Sequence, residues 1–357
     1  MSRVLFRVDA GRVSGLSFGH AFRCMALAHR LRDRHGVGVG FLMRDNSDGV
    51  RVVRDRGFQV ETTARDPDME AAKIEKSRAE LVVLDLPEPA AWPLARLRAR
   101  GRAVAVLDDT GGKRLDADLV VNGSVVPEFR HYPFRHPGTE YRLGPEFCVL
   151  GDDFDAPRRR PVGQAVERIL VTLGGSDPAG LTAPVARALA QSSPSIRVDI
   201  VLAPGFAGAE EIRAIAATAE AQLIVHEAVP SLAEMMRRAD LAIAAGGRTA
   251  YELAATGTPA ILIASHPVEA PVVRAFERLG TCLAMPNADP AGMAAYLQAA
   301  TNSLSADVAR RTRMSRMGQA AVDGRGRDRV ATALAEILDG KRSGDAHAGI
   351  LPRTGTD

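Results

Sequence analysis

Short runs of apolar residues alternate with stretches of helical periodicity along nearly the whole chain. In the first half the runs Val4–Val8, Val37–Leu42, Leu81–Leu84, Ala103–Leu107 and Leu119–Val121 read as buried strands. Helical patterns begin near Gly19, Ser47, Pro67 and Ala90. The first is well marked: Phe22, Met25, Leu27, Ala28 and Leu31 form an apolar stripe, with Ser14 or Ser17 as its cap. The pattern lapses between Asp152 and Val166, where Asp152-Asp153-Phe154-Asp155-Ala156-Pro157-Arg158-Arg159-Arg160-Pro161 reads as a polar linker. It restarts with strands at Ile169–Leu173, Arg197–Leu202, Leu223–Val225, Leu241–Ala244 and Ala260–Ile263. Helices are expected near Leu181, Glu210, Ser231, Thr249, Val268, Pro290, Ala306 and Arg325.

Strands that alternate with helices predict a parallel sheet wrapped on both faces. The fold class is therefore α/β, with two doubly wound Rossmann-like domains facing a cleft. The expected boundaries are 1–155, 162–340 and a disordered tail, 341–357, that lacks periodicity. The chain's 357 residues suffice for two full cores. Aromatic residues make up only 4%, so those cores must be built from Ala, Leu, Val and Ile.

A net charge of +3 is too mild to argue for nucleic acid or a membrane surface as partner. Arg158-Arg159-Arg160 reads as solvated linker. Cys24, Cys148 and Cys282 are few, scattered and odd in number, which fits reduced thiols better than a disulfide frame or zinc site. The opening apolar run is too short for a signal peptide, and no later run reaches membrane-span length. A cytoplasmic protein is expected; the oligomeric state is not readable.

Candidate chemistry lies where strands give way to helices. Ala245-Gly246-Gly247-Arg248-Thr249-Ala250-Tyr251-Glu252 follows an apolar run and opens a helix. Two glycines there let backbone approach a phosphate, and the helix start offers unpaired N–H groups. Glu252, one turn on, could accept hydrogen bonds from ribose hydroxyls. Leu173-Gly174-Gly175-Ser176-Asp177-Pro178 follows an earlier strand with a second phosphate- or sugar-binding turn, or a plain tight turn. Neither loop has Walker or G-x-G-x-x-G spacing. In the first half, Asp9 ends a strand, and a loop leads through Phe18-Gly19 to His20 at a helix start. A neutral imidazole there could serve as general base, or the ring could simply cap the helix. Arg23 could bind an anion or pair with a carboxylate. Asp85, Asp108 and Asp109 close later runs, where a carboxylate could orient His20, bind sugar hydroxyls, or cap a loop.

Taken in order, Asp9, the Gly-His-x-x-Arg run from Gly19 to Arg23, Asp108-Asp109, Gly174-Gly175-Ser176-Asp177-Pro178 and Ala-Gly-Gly-x-Thr-x-x-Glu ending at Glu252 resemble one group. That group is the UDP-sugar hydrolase family of pseudaminic acid biosynthesis with its spore-coat polysaccharide relatives, which adopt the glycosyltransferase B fold. The resemblance covers about residues 1–300. The Glu252 motif also looks like that of the peptidoglycan GlcNAc transferase.

The resemblance implies that His20 activates water to attack the anomeric carbon of a UDP-linked diacetamido-trideoxy-altrose, releasing UDP and free sugar, with Asp85 and Asp108 beside it. It implies that Gly246-Gly247 and Gly174-Gly175 bind the diphosphate and Glu252 the ribose; Asp9, Gly19, Arg23, Asp109, Ser176, Arg248, Thr249 and Glu269 are further candidate substrate contacts, and with no ligand cluster in the sequence no metal or cofactor is expected. Several positions depart from the pattern. Ser17 replaces a glycine, and Asp85-Leu86-Pro87 replaces Asp-His-Tyr. Val268-Glu269 replaces Asn-Gln, and Arg248 replaces a small residue. Sugar-binding positions have thus changed more than diphosphate-binding ones. A glycosyltransferase using the same cleft, or a CMP-linked substrate, is the alternative; a non-catalytic nucleotide-sugar binder would not need His20.

Overall fold

A computed structural model of the chain describes residues 3–11, 18–155, 161–174, 177, 179–203, 205–227, 229, 231–285 and 290–348. The chain divides into two compact units, Met1–Gly151 with Arg325–Asp357, and Asp152–Gly324.

The first unit is built on seven strands: β1 Val4–Val8, β2 Val39–Arg44, β3 Gln59–Thr63, β4 Leu81–Asp85, β5 Ala103–Leu107, β6 Leu119–Asn122 and β7 Glu140–Leu143. They pair in the order β3-β2-β1-β4-β5-β6-β7, and every pairing is parallel. The second unit has six: β8 Arg168–Thr172, β9 Arg197–Leu202, β10 Gln222–Glu227, β11 Leu241–Ala245, β12 Ala260–Ile263 and β13 Cys282–Met285. Their order is β10-β9-β8-β11-β12-β13, again all parallel.

Both sheets are therefore doubly wound, with the strand order reversing beside the first strand. Such a reversal opens a crevice at the carboxyl ends of the two strands that flank it, where ligands of this architecture bind. The flanking pairs are β1 with β4 and β8 with β11.

Alternation along β1 shows why the first sheet needs cover on both faces. Val4, Phe6 and Val8 enter one apolar cluster with Ala21, Leu27 and Leu31 of the helix Gly19–His35. Leu5 enters the other, with Ile74, Val82, Leu84 and Trp92. In the second unit Ile169, Val171, Ile200 and Ile243 pack against Val185, Leu189, Met293 and Leu297.

Four features differ from the sequence expectation. The strands β3, β7 and β13 are additional to those expected; each lies at a sheet edge, and in β3 and β7 half-exposed polar positions break the apolar run, while β13 is a short apolar stretch of four residues. Phe22 is not in the core stripe but is 41% exposed, lying against Phe18 with the Arg56 guanidinium over its ring. Ala21 and Cys24 take its place inside. The closing helix, Gly326–Ala348, lies with the first unit, whereas the expected boundary kept residues up to 340 with the second. Val330, Ala331, Leu334 and Leu338 draw it there by joining the cluster of Phe6 and Leu27. This helix also continues past 341 to Ala348 where a structureless tail was expected, and residues 349–357 lie outside the described residues. The proposed caps Ser14 and Ser17, and the linker core 156–160, lie outside them too. No helix among the described residues is long and apolar enough to cross a membrane.

Candidate active site

The reversal point of the first sheet gathers four side chains from three segments of the chain. His20 and Arg23 stand one turn apart at the start of the helix Gly19–His35, Asp85 ends β4, and Asp109 follows β5. The His20 Nδ1 lies 2.6 Å from Asp85 Oδ1. Arg23 grips the same carboxylate with two bonds, Nε to Oδ2 and Nη2 to Oδ1, both 2.6 Å. The Cys24 thiol donates to Oδ2 at 3.3 Å. On its other side Arg23 binds Asp109, Nη1 to Oδ1 at 2.6 Å and Nη2 to Oδ2 at 2.9 Å.

The electrostatics follow from this geometry. Burial by itself would raise the Asp85 carboxyl, but the Arg23 charge and the hydrogen bonds from Arg23 and His20 outweigh it and hold the group well below the usual carboxylate range. Against the opposing effect of burial, Arg23 also pulls the Asp109 carboxyl below its ordinary value. An ionised carboxylate can only accept, so the contact assigns the His20 proton to Nδ1 and leaves a lone pair on Nε2. The His20 side chain is 27% exposed while Asp85 is sealed off. This is an imidazole oriented by a fixed anion, the arrangement a general base requires.

Asp9, expected as a substrate contact, and Asp108, expected beside His20, turn elsewhere. Asp9 is buried, and both its oxygens receive Arg7, Nη1 at 2.6 Å and Nη2 at 2.9 Å. It also accepts the Arg44 N–H at 2.8 Å, so it joins the ends of β1 and β2 and presents nothing to a ligand. Asp108 is buried and accepts from Tyr132 Oη at 2.6 Å and from Gly111 N and Lys113 Nζ at 2.8 Å. Its carboxylate organises the loop that carries Asp109 and does not reach His20. Cys24, Lys113 and Tyr132 are partners that the sequence pattern does not single out. A lysine five residues after a strand-ending aspartate is the available signal for the Asp108 contact.

At the reversal point of the second sheet, Gly174 follows β8 with φ of 91°, a conformation that favours glycine. Gly175 and Ser176 lie outside the described residues. Asp177 accepts from Leu181 N at 2.9 Å and Thr182 N at 2.8 Å, at the start of the helix Thr182–Ala190.

Gly246 and Gly247 follow β11. A Cβ on Gly246 would clash with Val273 Cγ2, so that glycine permits close packing of the helix Ala270–Arg278. Gly247 begins the helix Arg248–Thr256 without a side-chain cap, and the first turn carries no acidic residue. Its leading N–H groups, with Arg248 and Thr249 in that turn, form an end suited to an anion. Glu252 lies one turn in, mostly buried, with Arg248 Nε 3.5 Å from its Oε1. Burial pushes its carboxyl up, partly offset by Arg248. Glu269, expected near a sugar, closes the turn after β12 by accepting from Ser265 N and Oγ, each at 2.8 Å.

No family model matches the chain. It is 24% identical to the uncharacterised protein MJ1062 of Methanocaldococcus jannaschii over 266 residues, 71% of this chain and 54% of that protein. It is also 24% identical to the spore coat polysaccharide biosynthesis protein SpsG of Bacillus subtilis over 340 residues, 93% of this chain and 97% of SpsG. The chain thus spans about half the length of the first relative and nearly all of the second.

Among solved structures it is similar to MurG of Acinetobacter baumannii (TM-score 0.67, 16% identity, 94% of this chain and 99% of that one). It is similar to CalG4, the calicheamicin glycosyltransferase (TM-score 0.63, 16% identity, 95% and 98%). A third is Anabaena HepE in complex with UDP-glucose (TM-score 0.56, 13% identity, 96% and 99%). Two parallel-sheet α/β units in this arrangement of elements are the glycosyltransferase B fold.

Proposed function

We propose that this chain is a glycosyl-transferring enzyme that breaks the anomeric C–O bond of a nucleotide sugar. The observation that carries the proposal is the His20 imidazole held on the buried, ionised Asp85 at the reversal point of the first sheet. His20 Nε2 takes the proton of an attacking hydroxyl, whose oxygen forms the new bond to the anomeric carbon. The bond to the phosphate oxygen breaks, and its electron pair leaves with the nucleotide. The uncapped helix start at Gly247 and the backbone at Gly174 are the groups we assign to the phosphates, where N–H donors stabilise the charge that develops on departure. Glu252 is assigned to the ribose, and a uridine diphosphate carrier is favoured over a cytidine monophosphate one.

Transfer to an acceptor hydroxyl is the first reading, supported by the glycosyltransferases that share the fold. Transfer to water, as in the UDP-sugar hydrolase group, is the second. It rests on the resemblance of the sequence motifs alone; SpsG, aligned over nearly its whole length, is by name a spore coat polysaccharide biosynthesis protein. The purified chain incubated with a panel of UDP- and CMP-sugars separates the readings. Nucleotide release that needs an added acceptor supports transfer, and release in water alone supports hydrolysis. No release with any donor, with or without acceptors, would remove the enzymatic proposal.

The nucleotide assignment has its own check. Glu252→Ala is expected to weaken UDP binding by about 1–3 kcal/mol, the usual loss for a charged hydrogen-bond partner. Calorimetry that finds the affinity unchanged would take Glu252 out of the site.

A further inference from the structure

We propose that Asp109 is a positioning residue that acts on His20 through Arg23, restoring to the base the negative charge that Arg23 takes from Asp85. Its consequence for turnover rests on the reading of His20 as the base; its effect on the imidazole does not.

The argument starts from the sharing of contacts. Asp85 Oδ1 serves both His20 Nδ1 and Arg23 Nη2, at 2.6 Å each. A guanidinium bound through two bonds to the same carboxylate largely cancels the anion that would stabilise an imidazolium. Arg23 Nη2 also lies 3.1 Å from His20 Nδ1, close enough for its charge to oppose protonation directly. Asp85 and Arg23 alone would therefore make a neutral pair, able to orient the ring but poorly able to stabilise the proton it receives.

Asp109 changes that balance. It binds Arg23 through a second pair of hydrogen bonds on the side away from Asp85's Oδ2 contact. With a neutral imidazole, Asp85, Asp109 and Arg23 sum to one negative charge; when His20 takes a proton the group becomes neutral. Asp109 itself is held in place, because the neighbouring Asp108 is fixed by Gly111, Lys113 and Tyr132. Among the described residues, the charged groups that the contacts bring to His20 are Arg23 on its own helix, Asp85 from β4 and Asp109 after β5, while the Cys24 thiol occupies Asp85 Oδ2.

The sign follows. Removing the Asp109 charge leaves Arg23 less compensated, so the protonated ring is disfavoured and its titration moves to lower pH. Removing the Arg23 charge does the opposite. For charges several ångströms apart in a partly solvated site, the expected displacement is about half a pH unit to one unit.

The test is a nuclear magnetic resonance titration of the His20 ring in the full chain without substrate, its signal identified by its loss in His20→Asn. Asp109 is half-exposed, so Asp109→Asn and Asp109→Ala should fold. Both are expected to lower the His20 midpoint, Arg23→Gln to raise it, and Arg23→Lys to fall nearer the wild type. An unchanged or raised midpoint in both Asp109 variants would overturn the proposal. Where a donor is turned over, the acid limb of kcat/KM should follow the ring. A midpoint that moves while the limb stays would keep the inference about Asp109 and defeat the assignment of His20 as base. A weaker KM with an unmoved midpoint would instead make Asp109 a substrate contact, and the proposal would fall.

Discussion

His20→Asn is expected to reduce turnover of the nucleotide sugar by about 10²- to 10⁴-fold, the usual contribution of a positioned general base, with nucleotide affinity unchanged. Asparagine is the informative replacement. Its amide N–H can still donate to Asp85, so the buried carboxylate keeps a partner beside Arg23, but it offers no atom that can take a proton. A loss of rate in this variant therefore reports the missing base and not a stranded anion. The nucleotide grip is assigned to Gly174, the helix start at Gly247 and Glu252, all in the other unit, so calorimetry with UDP should give the wild-type value. Single-turnover measurements isolate the chemical step from product release. Turnover at the wild-type rate would end the assignment of His20, and a loss of UDP affinity in parallel would mean that the ring binds the nucleotide.

The interior of both sheets was legible because a parallel strand covered on both faces reads as a near-continuous apolar run, as in β5 and β11. The edge strands β3 and β7 were not, because solvent on one side admits residues such as Glu61 and Arg142 into the run. The place of the site was legible for a related reason. Chemistry in a doubly wound sheet sits just beyond strand ends, and His20, Asp85 and Asp109 each follow or close a predicted strand.

Which strand-ending carboxylate faces the ring was not legible. Asp9, Asp85 and Asp108 occupy equivalent places in the pattern, and their roles are decided by partners distant in sequence. Arg44 and Arg7 claim Asp9, Tyr132 claims Asp108, and only Asp85 meets His20. Glu269 makes the same point in the second unit, where Ser265 draws it into a turn. The final helix was misassigned because periodicity reports that a face is apolar and not which core it covers.

Arg7→Met is expected to destabilise the first unit by about 3–5 kcal/mol, the loss found when one member of a buried ion network is removed. Arg7 is fully buried on the second apolar face of β1, with its guanidinium 5.6 Å from the centre of the Trp92 ring. It binds Asp9 through Nη1 and Nη2, and Glu70 through Nε and Nη2 at 2.9 Å each. Methionine fills much of the volume but leaves two buried carboxylates facing each other. Arg44 offers only partial relief, at 3.4 Å from each. Two units need not unfold together, so the measurement is a denaturant titration followed by hydrogen exchange at β1 and β2, not a single global midpoint. The same network anchors the end of β1, which pairs with β4 at Asp85, so a loosened β1 should also broaden the His20 ring signal. Unfolding of β1 at the wild-type denaturant concentration would show that Arg44 and the backbone suffice to hold Asp9 and Glu70 without the buried guanidinium.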